Sequence, residues 1–474
     1  MLFACSLLVL AVTGVVGQQR PDRTRPPAPG PAPDLKLPPI QKRALSNGVA
    51  VWVVEAHEVP LVQMNFVVKA GSTDDPPGSF GVASLTAAML DEGAGKRSAL
   101  EIADTIEYLG ANLSTNSSFD ASAVRLNVPV ARLQDALPVM ADVALRPTFP
   151  ENELNRLRQE RITSLLQARD DPPSVAALSF SRIVFGPAHR YGTSTTGTET
   201  TLKAMTPQSL RAFHSAMYRP SNTTIIVVGD VMANAVLPRL ETHFGNWRVA
   251  GSVIRPSLPE VPRPTQGEIT IVDIPSAEQS QIRIGSVGVP RSTPDYFPLL
   301  VLNTILGGSF TSRLNQNLRE EHGYSYGASS RFDMRRAAGP FQAGAGVQTD
   351  KTAESIREFF NELNGIAKPV DAEELARAKN YIALGFPGEF ETMGDMSARL
   401  EELVVYNLPD DYFTRYVANV QAVTAEAVQK AAATYIQPRR FSVVVAGDRK
   451  VIEPGIRALN LAPVRTMTVD EALP

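Results

Sequence analysis

The feature that most constrains this chain is a repeat. Thr206-Pro-Gln-Ser-Leu leads to Tyr218-Arg-Pro220 and a β-branched run ending Gly229-Asp230. Thr424-Ala-Glu-Ala-Val leads to Tyr435-Ile-Gln-Pro438 and a similar run ending Gly447-Asp448. Thr206 and Thr424 are 218 positions apart, as are Gly229 and Gly447, and the strand-like segments at Gln63 and Gln281. One offset shared by three elements predicts a tandem duplication of a single unit. The 474 residues suit two such domains better than one.

Within the first copy, Leu45-Ser46-Asn47-Gly48 reads as a turn, and Val49 to Glu55 and Leu61 to Lys69 read as strands. Helical patterning spans Phe80 to Leu90. Ser98 and Glu101 have capping-box spacing ahead of Ile102, Ile106 and Leu109. A strand at Ala121 to Val128 and a long helix near Asn152 to Ala168 follow. The expected class is α+β: two tandem homologous domains, each a mostly antiparallel sheet packed with helices, together forming half of a clamshell.

The predicted boundaries are a signal peptide at 1–17, a proline-rich linker at 18–39, domains at 40–248 and 267–462, an interdomain linker at 249–266 and a tail at 463–474. Leu2 to Val16 is apolar but too short for a bilayer span, and Gly17 suits a cleavage point. Export to the periplasm or beyond the cell is therefore expected, with no membrane span besides that signal. Cys5, the only cysteine, lies inside that segment, so no disulfide or thiolate chemistry is expected of the mature chain. A net charge of -3 spread along the chain gives no footprint for nucleic acid.

Several stretches, in order, resemble the insulinase/pitrilysin zinc metallopeptidases, particularly their two-domain, processing-peptidase-like branch. They are Phe185-Gly-Pro-Ala-His-Arg-Tyr-Gly192 and the Tyr218-Arg219-Pro220-Ser221-Asn222 box, then Leu302-Asn303-Thr304-Ile305-Leu306-Gly307-Gly308, Ser312-Arg313-Leu314 and Leu318-Arg319-Glu320. Active members carry H-x-x-E-H on a helix, with two histidines binding zinc and the glutamate activating its water. The resemblance aligns those positions with Ser84, Ala87 and Ala88, and the distal glutamate ligand with Thr163-Ser164. None of these residues can do the job, so the chain is expected to bind no metal. No two of the five histidines (His57, His189, His214, His243, His322) are three or four apart. His57-Glu58 reads as an exposed loop, and His189 and His214 as structural.

The resemblance also implies a substrate-binding arginine and tyrosine seven residues apart, matched here by Arg319 and Tyr326, with Tyr324 as the second phenol to consider. A guanidinium and a phenol can donate to a peptide carbonyl and to the oxyanion formed from it. Without the family frame, Arg319 simply suits a helix C-terminus closed by Gly323, and Tyr326 a packed strand. The function expected is the non-catalytic subunit of a heterodimeric zinc peptidase. Its partner, a homologous subunit, would hold the zinc, and the substrate would be an unfolded peptide. The alternative is a stand-alone structural or peptide-binding pseudopeptidase. Unrelated chemistry in the same fold finds no Ser/His/Asp or paired-carboxylate set to support it. Gly307-Gly308 reads as a helix-end turn, not a phosphate loop.

Overall fold

The computed structural model describes residue 30 and residues 36–249, 251–261 and 264–473. The expected signal peptide and most of the proline-rich segment lie outside these. Two six-stranded sheets dominate. The first contains β1 (Gln41–Ala44), β2 (Ala50–Glu55), β3 (Leu61–Val68), β4 (Asn112–Ser117), β5 (Ser122–Pro129) and β6 (Thr223–Gly229), in the order β1-β2-β6-β3-β5-β4. The second contains β7 (Glu268–Asp273), β8 (Gln279–Val287), β9 (Ser325–Phe332), β10 (Pro340–Gln348), β11 (Ser442–Gly447) and β12 (Val464–Thr468), in the order β9-β10-β8-β11-β7-β12.

The 218-residue offset survives down to strand register. Ala50 faces Thr224 across the parallel β2–β6 pair, and Glu268 faces Ser442 across β7–β11. Gln63 faces Val228, and Gln281 faces Ala446. Two places depart from the repeat. The edge strand β1 runs antiparallel to β2, whereas its place beside β7 is taken by β12, parallel and from the far end of the chain. The region holding Arg319 and Tyr326 is the other. There a short helical segment, Arg313–Asn315 continuing as a π-helix over Gln316–Glu321, stands where the first copy has the helix Ala99–Tyr108.

Four helices matter below: α1 (Val82–Ala88), α2 (Glu151–Asp170), α3 (Pro172–Phe185) and α4 (Met393–Tyr406). α1 is shorter than the sequence pattern because Gly81, at its start, is left-handed with φ 98° and cannot extend it. The Ser98/Glu101 capping box forms as read: the Ser98 amide donates to Glu101 Oε2 at 2.8 Å, and the Glu101 amide to Ser98 Oγ at 3.3 Å.

The halves interlock by exchanging helices. Strand residues alternate between faces, so each central strand must be covered on both. Ile225 and Val227 of β6 pack into their own half's core, while Ile226 and Val228 pack with Leu400, Leu403 and Val404 of α4. Reciprocally, Val444 and Ala446 of β11 pack under Val175, Ala176 and Phe180 of α3. The segment read as an interdomain linker is not a loose tether either. Arg255 donates to Asp74 Oδ1 at 2.8 Å and to Asn222 Oδ1 at 2.9 Å. Asp74, itself fully buried, also accepts Arg336 from the second half at 3.0 Å.

Candidate functional site: a closed helix and an open strand edge

α1 is fixed from its N-terminus. Asp75 accepts the amides of Gly81 and Ala83 at 2.7 and 2.8 Å, so a carboxylate faces the positive end of the helix. Behind it lies Arg190, from the loop Phe185 to Gly192, with Nε 2.9 Å from the same carboxylate. The Arg190 guanidinium also donates to the carbonyls of Thr193 and Ser194. Asp75 is fully buried and its pKa is pushed up to about 6 by burial, against the pull of Arg190 and the two amides. His189 stacks on Phe185, and its Nδ1 accepts the Tyr191 amide, a structural role as read from sequence.

On α1 itself, Ser84 and Ala88 are half-buried and Ala87 is fully buried. Across from them, α2 supplies no ligand: Thr163 and Ser164 are exposed, and Ser164 Oγ donates back to the Glu160 carbonyl at 3.0 Å. The residue that does reach α1 is Arg161, one turn earlier. Its guanidinium forks onto Ser84, Nη1 to the hydroxyl and Nη2 to the carbonyl, both at 3.1 Å. Burial holds its pKa below the usual arginine range, and no carboxylate pairs with it among the described residues. A cation therefore sits against the hydroxyl that replaces the first metal-ligand position, and a methyl group fills each of the other two. These residues do not fit a zinc ion, which needs deprotonated or neutral donors around an open position. Among the described residues no group of three or more His, Cys, Asp or Glu could hold a metal.

Arg319 and Tyr326 are placed quite differently. The short helix of 313–321 is held by Leu314 and Leu318, both fully buried, and by the bidentate Arg313–Glu374 pair at 2.7 and 2.6 Å. Arg319 lies on the outer side, its guanidinium 4.5 Å from the Phe310 ring centre. Gly323, at φ 64°, turns the chain back, and its amide donates to the Arg319 carbonyl. Tyr326 then enters the free edge strand β9 inside a bulge between Ser325 and Ala328. Bulges re-aim side chains, and Tyr326 is 91% exposed. The bulge is pinned by Ser325 Oγ on the Gly346 carbonyl and by the Ala328 amide on Asn315 Oδ1. Tyr324, the second phenol, is half-buried and stacked on His322 at 4.9 Å, so it is the less available of the two. Phe310, 60% exposed beside Arg319, was missed by the sequence reading; an aromatic in a Gly-Gly-Ser turn was its only signal.

No hydrogen bond, ion pair or ring contact joins Arg319 or Tyr326 to α1 among the described residues. Two family models match the chain: Insulinase (Peptidase family M16) over residues 51–181 and Peptidase M16 inactive domain over 204–382. The chain belongs to peptidase family M16. An uncharacterized zinc protease of Bacillus subtilis is 26% identical over 72% of this chain and 82% of its own length. Another, of Mycobacterium bovis, is 25% identical over 86% and 93%. A Pseudomonas fluorescens structure titled peptidase M16 inactive domain superposes with a TM-score of 0.78 at 26% identity, covering 86% of this chain and 98% of that one. A protease from Helicobacter pylori shares the fold, with a TM-score of 0.81 at 20% identity, 87% of this chain and all of that one being covered. Within M16, then, this chain is a non-catalytic type: the fold is intact, while the resemblance matches the family's metal and general-base positions to Ser84, Ala87 and Ala88.

The other histidines do not rescue a site. His57 pairs with Asp230 at 2.7 Å, not with Glu58, and that hydrogen bond raises its pKa. His214 is half-buried, with Nε2 3.0 Å from the Ala144 carbonyl and its ring stacked on Tyr218. Burial pushes its pKa down to about 4. Gly307 and Gly308 close the helix Tyr296–Leu306 on the Asn303 carbonyl, the helix-end turn expected.

Proposed function

We propose that this chain is the zinc-free subunit of a two-chain M16 peptidase. It closes the chamber over an unfolded peptide and presents Arg319 and Tyr326 to a substrate held at a homologous partner's zinc. The observation that carries this reading is the contrast between the two sites. α1 is sealed by Arg161 and small side chains, whereas Arg319 and Tyr326 are held outward on a built, pinned edge. A decaying site would not be expected to keep a bulge braced on both sides.

In this role the guanidinium and the phenol donate to a peptide carbonyl and to the charge that develops on it, and removing one such donor typically costs about 10²–10³ in rate. The test is to assay an unstructured oligopeptide with the chain alone, with an M16 partner bearing H-x-x-E-H, and with Arg319→Ala and Tyr326→Phe versions of the complex. Activity is expected only in the complex and reduced in both variants. Cleavage by the lone chain, or an unimpaired Arg319→Ala complex, would overturn the proposal. The apolar N-terminal segment supports placing this complex outside the cytoplasm, which fractionation of the native host would check.

The second reading is a stand-alone structural or peptide-binding pseudopeptidase. The braced outward pair is compatible with peptide binding alone, and purification without any zinc-bearing companion would favour it.

A further inference from the structure

A cavity of about 330 Å³ opens on the face of the second sheet, on the same strand that carries Tyr326. It is lined by Gly344 of β10 and Gly327 and Ser329 of β9, with the amide side chains of Gln281 and Gln342 beside them. Its charged walls are Arg283 of β8 and Arg331 of β9. No acidic residue lines it. Gly344 is required by geometry. A Cβ on Gly344 would sit 2.5 Å from the Ile282 carbonyl oxygen and 3.2 Å from Arg283 Nη1, so Arg283 lies flat across β10 only because nothing is there.

The duplicated fold supplies its own control. In the first half the corresponding face carries Arg125, which α4 answers with Glu401: Nε to Oε1 at 2.9 Å and Nη2 to Oε2 at 2.6 Å. Asn65, which the repeat places at the position of Arg283, donates to the same carboxylate at 2.6 Å. In the second half the covering helix is α3, whose sequence from Pro172 to Phe185 contains no Asp or Glu and which offers Ala177 to the cavity. Among the described residues Arg283 donates only to its neighbouring carbonyl, at 2.8 Å. Neither Arg283 nor Arg331 has an ion pair among the described residues. Burial and the charge of Arg331 both press the Arg283 pKa down, as expected of two like charges left without a counter-ion.

We infer that this cavity is a carboxylate-binding subsite for an extended peptide, with Arg283 and Arg331 supplying the donors and Gly327 leaving room for the peptide main chain. A polyanion fits less well, because the chain has a net charge of -3 and the cationic surface is confined to two side chains in one cavity. The carboxylate has two possible sources, a free peptide C-terminus or an Asp or Glu side chain. The inference takes from the proposed function only that the chain meets peptides; no partner and no cleavage are needed.

The test is binding of three fluorescent decapeptides of Ala, Ser and Leu to the full chain by anisotropy. One has an amidated C-terminus and no acid, one a free C-terminus, and one an amidated C-terminus with a single central Glu. A carboxylate-bearing peptide is expected to bind at least about tenfold more tightly than the neutral one. That preference should vanish in the Arg283→Gln/Arg331→Gln double variant. Preference for the free C-terminus identifies one source, preference for the Glu peptide the other. Arg331 is exposed, so Arg331→Gln alone keeps the test alive if the double variant does not fold, and it should lower the preference. Equal binding of all three peptides, no measurable binding of any, or a preference that survives the substitutions would overturn the inference. Because cleavage is not read, failure here leaves the Arg319 assay standing, and failure of that assay leaves this one.

Discussion

The helix exchange between halves can be probed at one residue. Glu401, on α4, is largely buried and takes two of the three guanidinium nitrogens of Arg125, Nε and Nη2, and the amide of Asn65, all from the first sheet. Replacing Glu401 with alanine strands the Asn65 amide nitrogen, since Asn65 is only 1% exposed and its oxygen already accepts from Gln63. An orphaned buried donor costs about 1–3 kcal/mol. Loss of the bidentate pair adds about 1–2 kcal/mol, at the low end because the Arg125 side chain remains partly open to water. The expected destabilisation of Glu401→Ala is therefore about 2–5 kcal/mol. Urea unfolding followed by circular dichroism measures it. A cycle with Arg125→Met should return a coupling of about 1.5 kcal/mol, because the double variant no longer buries an unpaired charge. Because each sheet is covered by the other half's helix, both halves should unfold in one transition. A cost below about 0.5 kcal/mol, the range of an ordinary surface change, or two separate transitions would refute the interlock.

Other outcomes follow from single sites. His214 is held neutral in the fold with a pKa of about 4 and regains an ordinary value near 6.5 on unfolding. Its contribution is present above about pH 6.5 and lost as pH falls towards 4, up to about 3 kcal/mol, so His214→Gln should flatten the acid side of the stability profile measured by thermal melts. Writing the metal motif back as Ser84→His, Ala87→Glu and Ala88→His should not create a tight zinc site by calorimetry, because Arg161 and the exposed Ser164 remain. Submicromolar binding would contradict the account of α1. Phe310→Ala should free the Arg319 guanidinium and weaken peptide cleavage by the partnered complex less than Arg319→Ala does, read as kcat/KM.

Much of this was legible in sequence because it depends on spacing. The 218-residue offset, the capping box at Ser98 and the seven-residue step from Arg319 to Tyr326 are all one-dimensional facts, and the family resemblance set Ser84, Ala87 and Ala88 at the ligand positions. The β-branched run of β6 was visible too, but not which residues cover its second face. That answer, α4 from the other half, is non-local and leaves no local mark. The same limit hid the edge exchange of β1 for β12 and the Arg255 anchor, since each joins segments far apart in the chain.

What the sequence alone determined is the duplicated α+β fold, because spacing and periodicity need no coordinates; the family resemblance then pointed to Ser84, Ala87 and Ala88 as replacements for metal ligands. Only the tertiary structure decided what replaced them. Arg161 closes the vacated helix, a strand bulge turns Tyr326 outward while Tyr324 packs down, and two arginines are left without a carboxylate because α3 carries none where α4 carries Glu401. The physical reason is common to all three. A side chain's partner is set by the packing of distant elements, and sequence distance says nothing of which charge will meet which.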